Sequence, residues 1–115
     1  MLSYLFTLHW VADYIFQPRE IADTKWNDIG SLTIHVFMYS FTMLLFPIIC
    51  APSFSAGFLF ILWLAISHFV IDFFTSKATH LYYEQKDYSM FFIVLGADQL
   101  LHIVTFFVLL GRYIL

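Results

Sequence analysis

Four histidines and three aspartates stand inside otherwise apolar runs: His9, His35, His68 and His102, with Asp13, Asp72 and Asp98. Three pairs share the i, i+4 spacing: His9 with Asp13, His68 with Asp72, and Asp98 with His102. On a helix that spacing places both side chains on one face. Imidazole nitrogen and carboxylate oxygen together suit Zn, Fe, Mn or Ni, so each pair lets one helix offer two ligands to a single ion. A charged side chain in hydrocarbon costs about 2.5–3.5 kcal/mol at a helix centre on insertion scales, and such residues face a bundle interior and carry function. A bound dication offsets the desolvation of three buried carboxylates and activates water as a nucleophile. The pattern predicts an intramembrane site for one or two divalent ions (Zn, Fe or Mn). In it His9, His35, His68 and His102 are nitrogen ligands. Asp13, Asp72 and Asp98 are oxygen ligands, or serve catalysis as a general base. Gln17 and Gln99 are expected to hydrogen-bond the ligands from behind. Lys25 and Lys77 either bind a phosphate or lipid headgroup or anchor helix ends by snorkelling.

The elements that must position these residues follow from composition. Of 115 residues 62% are hydrophobic and only 11% charged, against roughly 25% charged in soluble domains. That leaves too little polar surface for a globule in water. Disorder, collagen-like and disulfide-scaffold classes are excluded, because aromatics reach 22% while Gly, Pro and Cys are scarce. The net charge of −3, without a basic cluster, excludes nucleic acid as a partner. The lone Cys50 cannot form an internal disulfide.

Four apolar runs are separated by three short polar breaks. A spanning helix needs about 20 apolar residues and a membrane strand only about 9–11, so helices are the expected spans. The first run lacks a basic leader region and a small-residue cleavage site and carries Asp13, which argues against a signal peptide. The expectation is an all-α integral membrane protein. One transmembrane domain covers residues 1–115, with helices at about 2–17, 31–50, 54–77 and 88–111. Asp28 with Ser31, then Ser53 or Ser55, then Asp87 supply helix starts. Short breaks predict an antiparallel four-helix bundle, and the order His-x3-Asp, Lys, His occurs twice, as in a tandem repeat of two helical hairpins. By helix rise, Asp13 and Asp72 should lie about 5–10 Å from one membrane edge and Asp98 about 15–18 Å from it. Arg19, Lys25, Lys77 and Lys86 lie on one side, and Arg112 with the amino terminus on the other. Lysine and arginine favour the cytoplasmic side, so both termini should face outward.

Three readings share these residues. The first is a metal-dependent hydrolase acting on a small amphiphilic or lipid-linked substrate. The second is proton- or cation-coupled transport, which needs a polar path to both faces; few polar groups lie beyond His102. The third is an accessory membrane subunit whose His–Asp pairs only fix helix pairing. A homodimer is compatible with the small size. His80 reads as an interfacial residue, Cys50 as a small apolar one, and the phenylalanines as packing and lipid surface.

The order His9-x3-Asp13-x3-Gln17, Lys25, His35, His68-x3-Asp72-x4-Lys77, Asp98-Gln99-x2-His102 resembles the domain-of-unknown-function 3307 family over nearly the whole chain. The resemblance rests most on the His68–Asp72 and Asp98–His102 stretches. It implies a small bacterial integral membrane protein, hence the bacterial inner membrane, and leaves the activity unassigned.

Overall fold

A computed structural model describes all 115 residues, as helices without a strand. Helix α1, Leu2–Trp10, passes directly into a five-residue π turn, Val11–Ile15, where the Phe16 N–H bonds back to the Val11 carbonyl. A short helix α2 follows at Arg19–Thr24, entered through Pro18. Helix α3, Ile29–Met43, is joined through Leu44 to α4, Leu45–Cys50. Pro47 lacks the N–H that would continue the hydrogen-bond ladder to Met43, which breaks the helix there. The long helix α5 spans Phe54–Glu84, and α6, Tyr88–Leu109, ends in a second π turn, Leu110–Ile114.

Side chains set three of these starts. Asp28 accepts from the Gly30 and Ser31 N–H groups, Ser53 from Ala56, and Asp87 from Met90. Ser31 lies inside α3 instead of capping it, and its hydroxyl donates to Asp28. Two expectations need correction. The first polar break is partly helical, because residues 19–24 contain neither Gly nor Pro. Helix α5 runs past Lys77 to Glu84 for the same reason, and the chain turns only at Lys86, whose φ of 57° is left-handed.

Three segments are long and apolar enough to cross a membrane: Ile29–Cys50, Phe54–Glu84 and Tyr88–Ile114. The first run does not clearly make a fourth. Helix α1 has nine residues and its π turn five, which at about 1.5 Å per residue is well short of the roughly 30 Å of hydrocarbon. Phe37, Phe41, Ile48 and Phe54 are among the many large apolar side chains left exposed, as a lipid-facing surface requires.

The interior is divided along its length. One half is apolar, built on Leu5, Tyr39, Met43, Phe46, Phe60 and Phe106, all with no exposed surface. Gly57 lets α5 approach α4 there: a Cβ at that position would meet Ala51 Cβ at 3.2 Å and Pro47 Cβ at 3.3 Å. The other half holds buried polar groups. His68 is near the midpoint of α5, and Asp72 lies about 18 Å from the helix end at Glu84, at roughly 1.5 Å per residue. Asp72 therefore lies farther from the end of its helix than expected, because α5 does not stop at Lys77.

Candidate metal centre

The i, i+4 partners converge on common points more than on each other. His9 Nε2 and Asp13 Oδ2 are 3.9 Å apart, His68 Nε2 and Asp72 Oδ2 3.5 Å, and His102 Nε2 and Asp98 Oδ1 3.6 Å. The shorter contacts run between helices. His35 Nε2 lies 3.1 Å from Asp13 Oδ1, 3.2 Å from Asp72 Oδ2 and 3.1 Å from His68 Nε2. His68 Nε2 lies 3.6 Å from the same Asp13 oxygen. Asp13, His35, His68 and Asp72 thus each bring one ligand atom to within 4.8 Å of all the others, and all four are buried. A tetrahedral ion with bonds of about 2.0–2.1 Å holds its ligand atoms about 3.3 Å apart, close to these separations. The π turn at Val11–Ile15 carries Asp13. Such widened turns frequently occur at functional sites.

A second group, Asp13, Asp98 and His102, adjoins the first and shares Asp13 with it. Asp72 also links them: its Oδ2 faces His35 and its Oδ1 lies 3.3 Å from His102 Nε2. Asp98 is held from behind. Thr75 donates to Oδ1, and the Gln99 amide donates to Oδ2 at 2.9 Å. That amide orientation turns Gln99 Oε1 toward His9 Nε2 at 3.1 Å, so Nε2 carries the proton and donates. His9 Nδ1 then accepts from the Tyr39 hydroxyl at 2.8 Å. A chain of donors therefore runs from Tyr39 through His9 and Gln99 to Asp98. Tyr39 also stacks on His68, with ring centroids 3.7 Å apart, and His68 stacks on His102 at 4.4 Å. His68 Nδ1 is buried without a hydrogen-bond partner, so stacking alone fixes the outer edge of that ring.

Lys25 supplies the one ammonium in contact with the cluster, 2.9 Å from Asp72 Oδ2. Three buried carboxylates against one ammonium leave a charge deficit that a dication would balance. Beside the carboxylates lies a cavity of about 160 Å³, lined by Asp13, Asp72 and Asp98 and by Tyr14, Gln17 and Lys25 among others. A second cavity shares Lys25, Ser76, Thr79 and Phe91 with it and continues past Trp26 and His80 to Glu84. The Trp26 and His80 rings stack there at 3.5 Å.

Six of the seven expected ligands enter the two groups. His9 reaches the cluster but spends both ring nitrogens on Tyr39 and Gln99, so it serves as a link and joins neither group. Gln99 lies behind Asp98 as a hydrogen-bond partner, Gln17 lines the cavity, and Lys25 touches Asp72. Lys77 stays away: its ammonium donates to the Trp26 carbonyl and lies over the Phe73 ring. Five residues after Asp72, it points about 140° away around the helix, whereas Lys25 arrives from another segment. Tyr39 and Thr75 join the site without having been expected there. Both carry a spacing signal, Tyr39 four residues after His35 and Thr75 three after Asp72.

A family model described as protein of unknown function (DUF3307) matches residues 1–114. No curated protein and no solved structure matches the chain.

Proposed function

Since the chain belongs to the DUF3307 family, to which no activity is attached, we propose from its geometry that it is a membrane-embedded metal-dependent hydrolase. Its His/Asp centre holds one or two divalent ions, Zn, Fe or Mn. The observation that carries this reading is the convergence of Asp13, His35, His68 and Asp72. Each presents a lone-pair atom, and His35 Nε2 has three such neighbours within 3.2 Å. One imidazole proton cannot satisfy them all, while an ion would. An ion there acts as a Lewis acid and lowers the pKa of bound water. Asp13 and Asp72 hold it, Asp98 and His102 offer the place for a second, and the adjoining cavity leaves room for substrate. Four protein ligands would fill a tetrahedral shell and mark a structural ion, so the open position for bound water falls to the ion at Asp13, Asp98 and His102, which offer only three.

The same reading places the protein in the bacterial inner membrane as an antiparallel four-helix bundle, with α1 and its π turn completing three spanning helices. The 47 Å length suits a bilayer. The hairpin repeat is supported by matching contacts: His35 to Asp13 at 3.1 Å and His102 to Asp72 at 3.3 Å. Arg19, Lys25, Lys77 and Lys86 would keep the chamber end cytoplasmic and both termini outside. The apolar layer of Phe46, Phe60 and Phe106 across the far half favours hydrolysis at a closed site over conduction through the molecule.

Elemental analysis of protein purified in mild detergent tests the centre. One or two equivalents of metal are expected, lost in a His35→Ala/His68→Ala double variant that keeps its helical circular dichroism. Folded wild-type protein that takes up no Zn, Mn or Fe on reconstitution would overturn the reading.

A further inference from the structure

The cavity beside the centre limits what the centre can act on, and the substrate class drawn from it rests on the metal centre proposed for this site. At about 160 Å³ it is smaller than the roughly 300–1,000 Å³ of sites that enclose a whole small molecule. It admits a compact reacting group, while the rest of the molecule stays outside.

Charge narrows the choice. The walls carry Asp13, Asp72 and Asp98 against Lys25 alone, so without metal they repel any anion. One dication makes the site neutral. Two dications leave it with an excess of two positive charges, which a dianion cancels in a poorly solvated interior. The donor inventory agrees. The serine and threonine hydroxyls of the cavity have spent their protons: the single Thr75 proton goes to Asp98 or Ile71, Ser76 donates to the Asp72 carbonyl, and Thr79 to the Ser76 carbonyl. The unspent donors are the Tyr14 hydroxyl, the amides and the ammonium. Lys25 uses one of its three N–H groups on Asp72. Gln99 retains one N–H beyond its bond to Asp98. Gln17 lines the cavity with a buried amide oxygen that has no partner, and a flip of that amide turns its NH2 inward. Nitrogen donors and two cations around a small volume are the recognition chemistry of phosphate.

We propose that this cavity seats the dianionic phosphate group of a phosphate monoester, held by the two-ion centre with Lys25 and Gln17. The wider cavity past Trp26 and His80, about 490 Å³, receives the adjoining part of the ester at the membrane edge. Hydrolysis breaks the P–O ester bond. The water oxygen joins phosphorus, one water proton passes to a centre carboxylate, and the leaving oxygen takes up a proton. The products are an alcohol and inorganic phosphate, so inorganic phosphate is itself a ligand.

The test is calorimetric titration of detergent-purified protein with inorganic phosphate, with and without Mn²⁺ loading, alongside elemental analysis. Saturable binding that needs the metal is expected. Lys25→Met should weaken it at least ten-fold with metal content unchanged. If Lys25→Met itself loses metal, Gln17→Leu, which touches no ligand, carries the comparison. Vesicles of phosphatidylcholine with or without phosphatidic acid identify the source. Competition by phosphatidic acid marks a lipid ester, and its failure to compete marks a soluble one. Protein with full metal content that binds neither probe, or binding that neither variant weakens, would overturn the proposal. Failure to retain metal at all would overturn the metal reading instead.

Discussion

Asp72 carries more of the centre than any other side chain. Its Oδ2 faces Lys25, His35 and His68, while its Oδ1 faces His102, so it joins the two ligand groups. Asp98 depends instead on the chain that begins at Tyr39. Removing the Tyr39 hydroxyl leaves His9 Nδ1 buried without its donor and frees the His9 ring to turn, loosening Gln99 and then Asp98. Partners behind metal ligands are typically worth about 10–100-fold in affinity. Tyr39→Phe should therefore weaken metal binding within that range while saturating stoichiometry stays the same. Competition with a chromogenic chelator measures it, and an unchanged affinity would remove the chain from any role in holding Asp98. The converging histidines and aspartates were legible in the sequence because charged and imidazole groups stand out inside apolar helices, and i, i+4 spacing fixes their face. Tyr39 was passed over despite its i, i+4 spacing from His35, because a tyrosine in an apolar run reads as packing. Nor could spacing distinguish His9 from the true converging histidines, since that depends on which neighbours occupy its two nitrogens.

At the scale of elements, helix starts and interruptions decide where the ligands sit. The Asp28 carboxylate lies outside the spans at the start of α3, about two turns before His35. Hydrogen bonds from the Ser31 hydroxyl and from the Gly30 and Ser31 backbone hold its pKa below the ordinary carboxylate value. A depressed folded pKa contributes stability that is present above the unfolded value of about 3.9 and lost as pH falls through the folded one. Asp28→Asn keeps a capping side chain that does not titrate. The difference in melting temperature between wild type and Asp28→Asn should shrink as pH is lowered through that window, and a constant difference would contradict the capping account. The caps at Asp28, Ser53 and Asp87 could be read from the sequence. The α5 extension could not, because residues 78–84 mix polar and aromatic groups that suit a headgroup loop as well as a helix. The π turn under Asp13 left no signal, since its widening depends on tertiary contacts.

At the scale of the molecule, the buried carboxylates would tie folding to the proposed metal. Desolvated negative charge in one half of the interior opposes compaction until cations compensate it. An ion that binds only the folded state stabilises it by about 2.7 kcal/mol at a free concentration roughly 100 times its Kd. Chelation should therefore lower the melting temperature in detergent, and Mn²⁺ or Zn²⁺ should restore it. Thermal scans by circular dichroism would show this, and a midpoint indifferent to both would mean that Lys25 and the histidines already compensate the charge. The division of the interior into an apolar half and a polar half has a consequence for biogenesis. A chamber with one mouth serves only the compartment that mouth faces, so a copy inserted upside down would be folded and useless. Vectorial insertion then becomes part of the active design. With the mouth facing the cytoplasm, as proposed, Lys25 would be both part of the topogenic signal and lining of the route inward, so one residue would answer to two selective pressures.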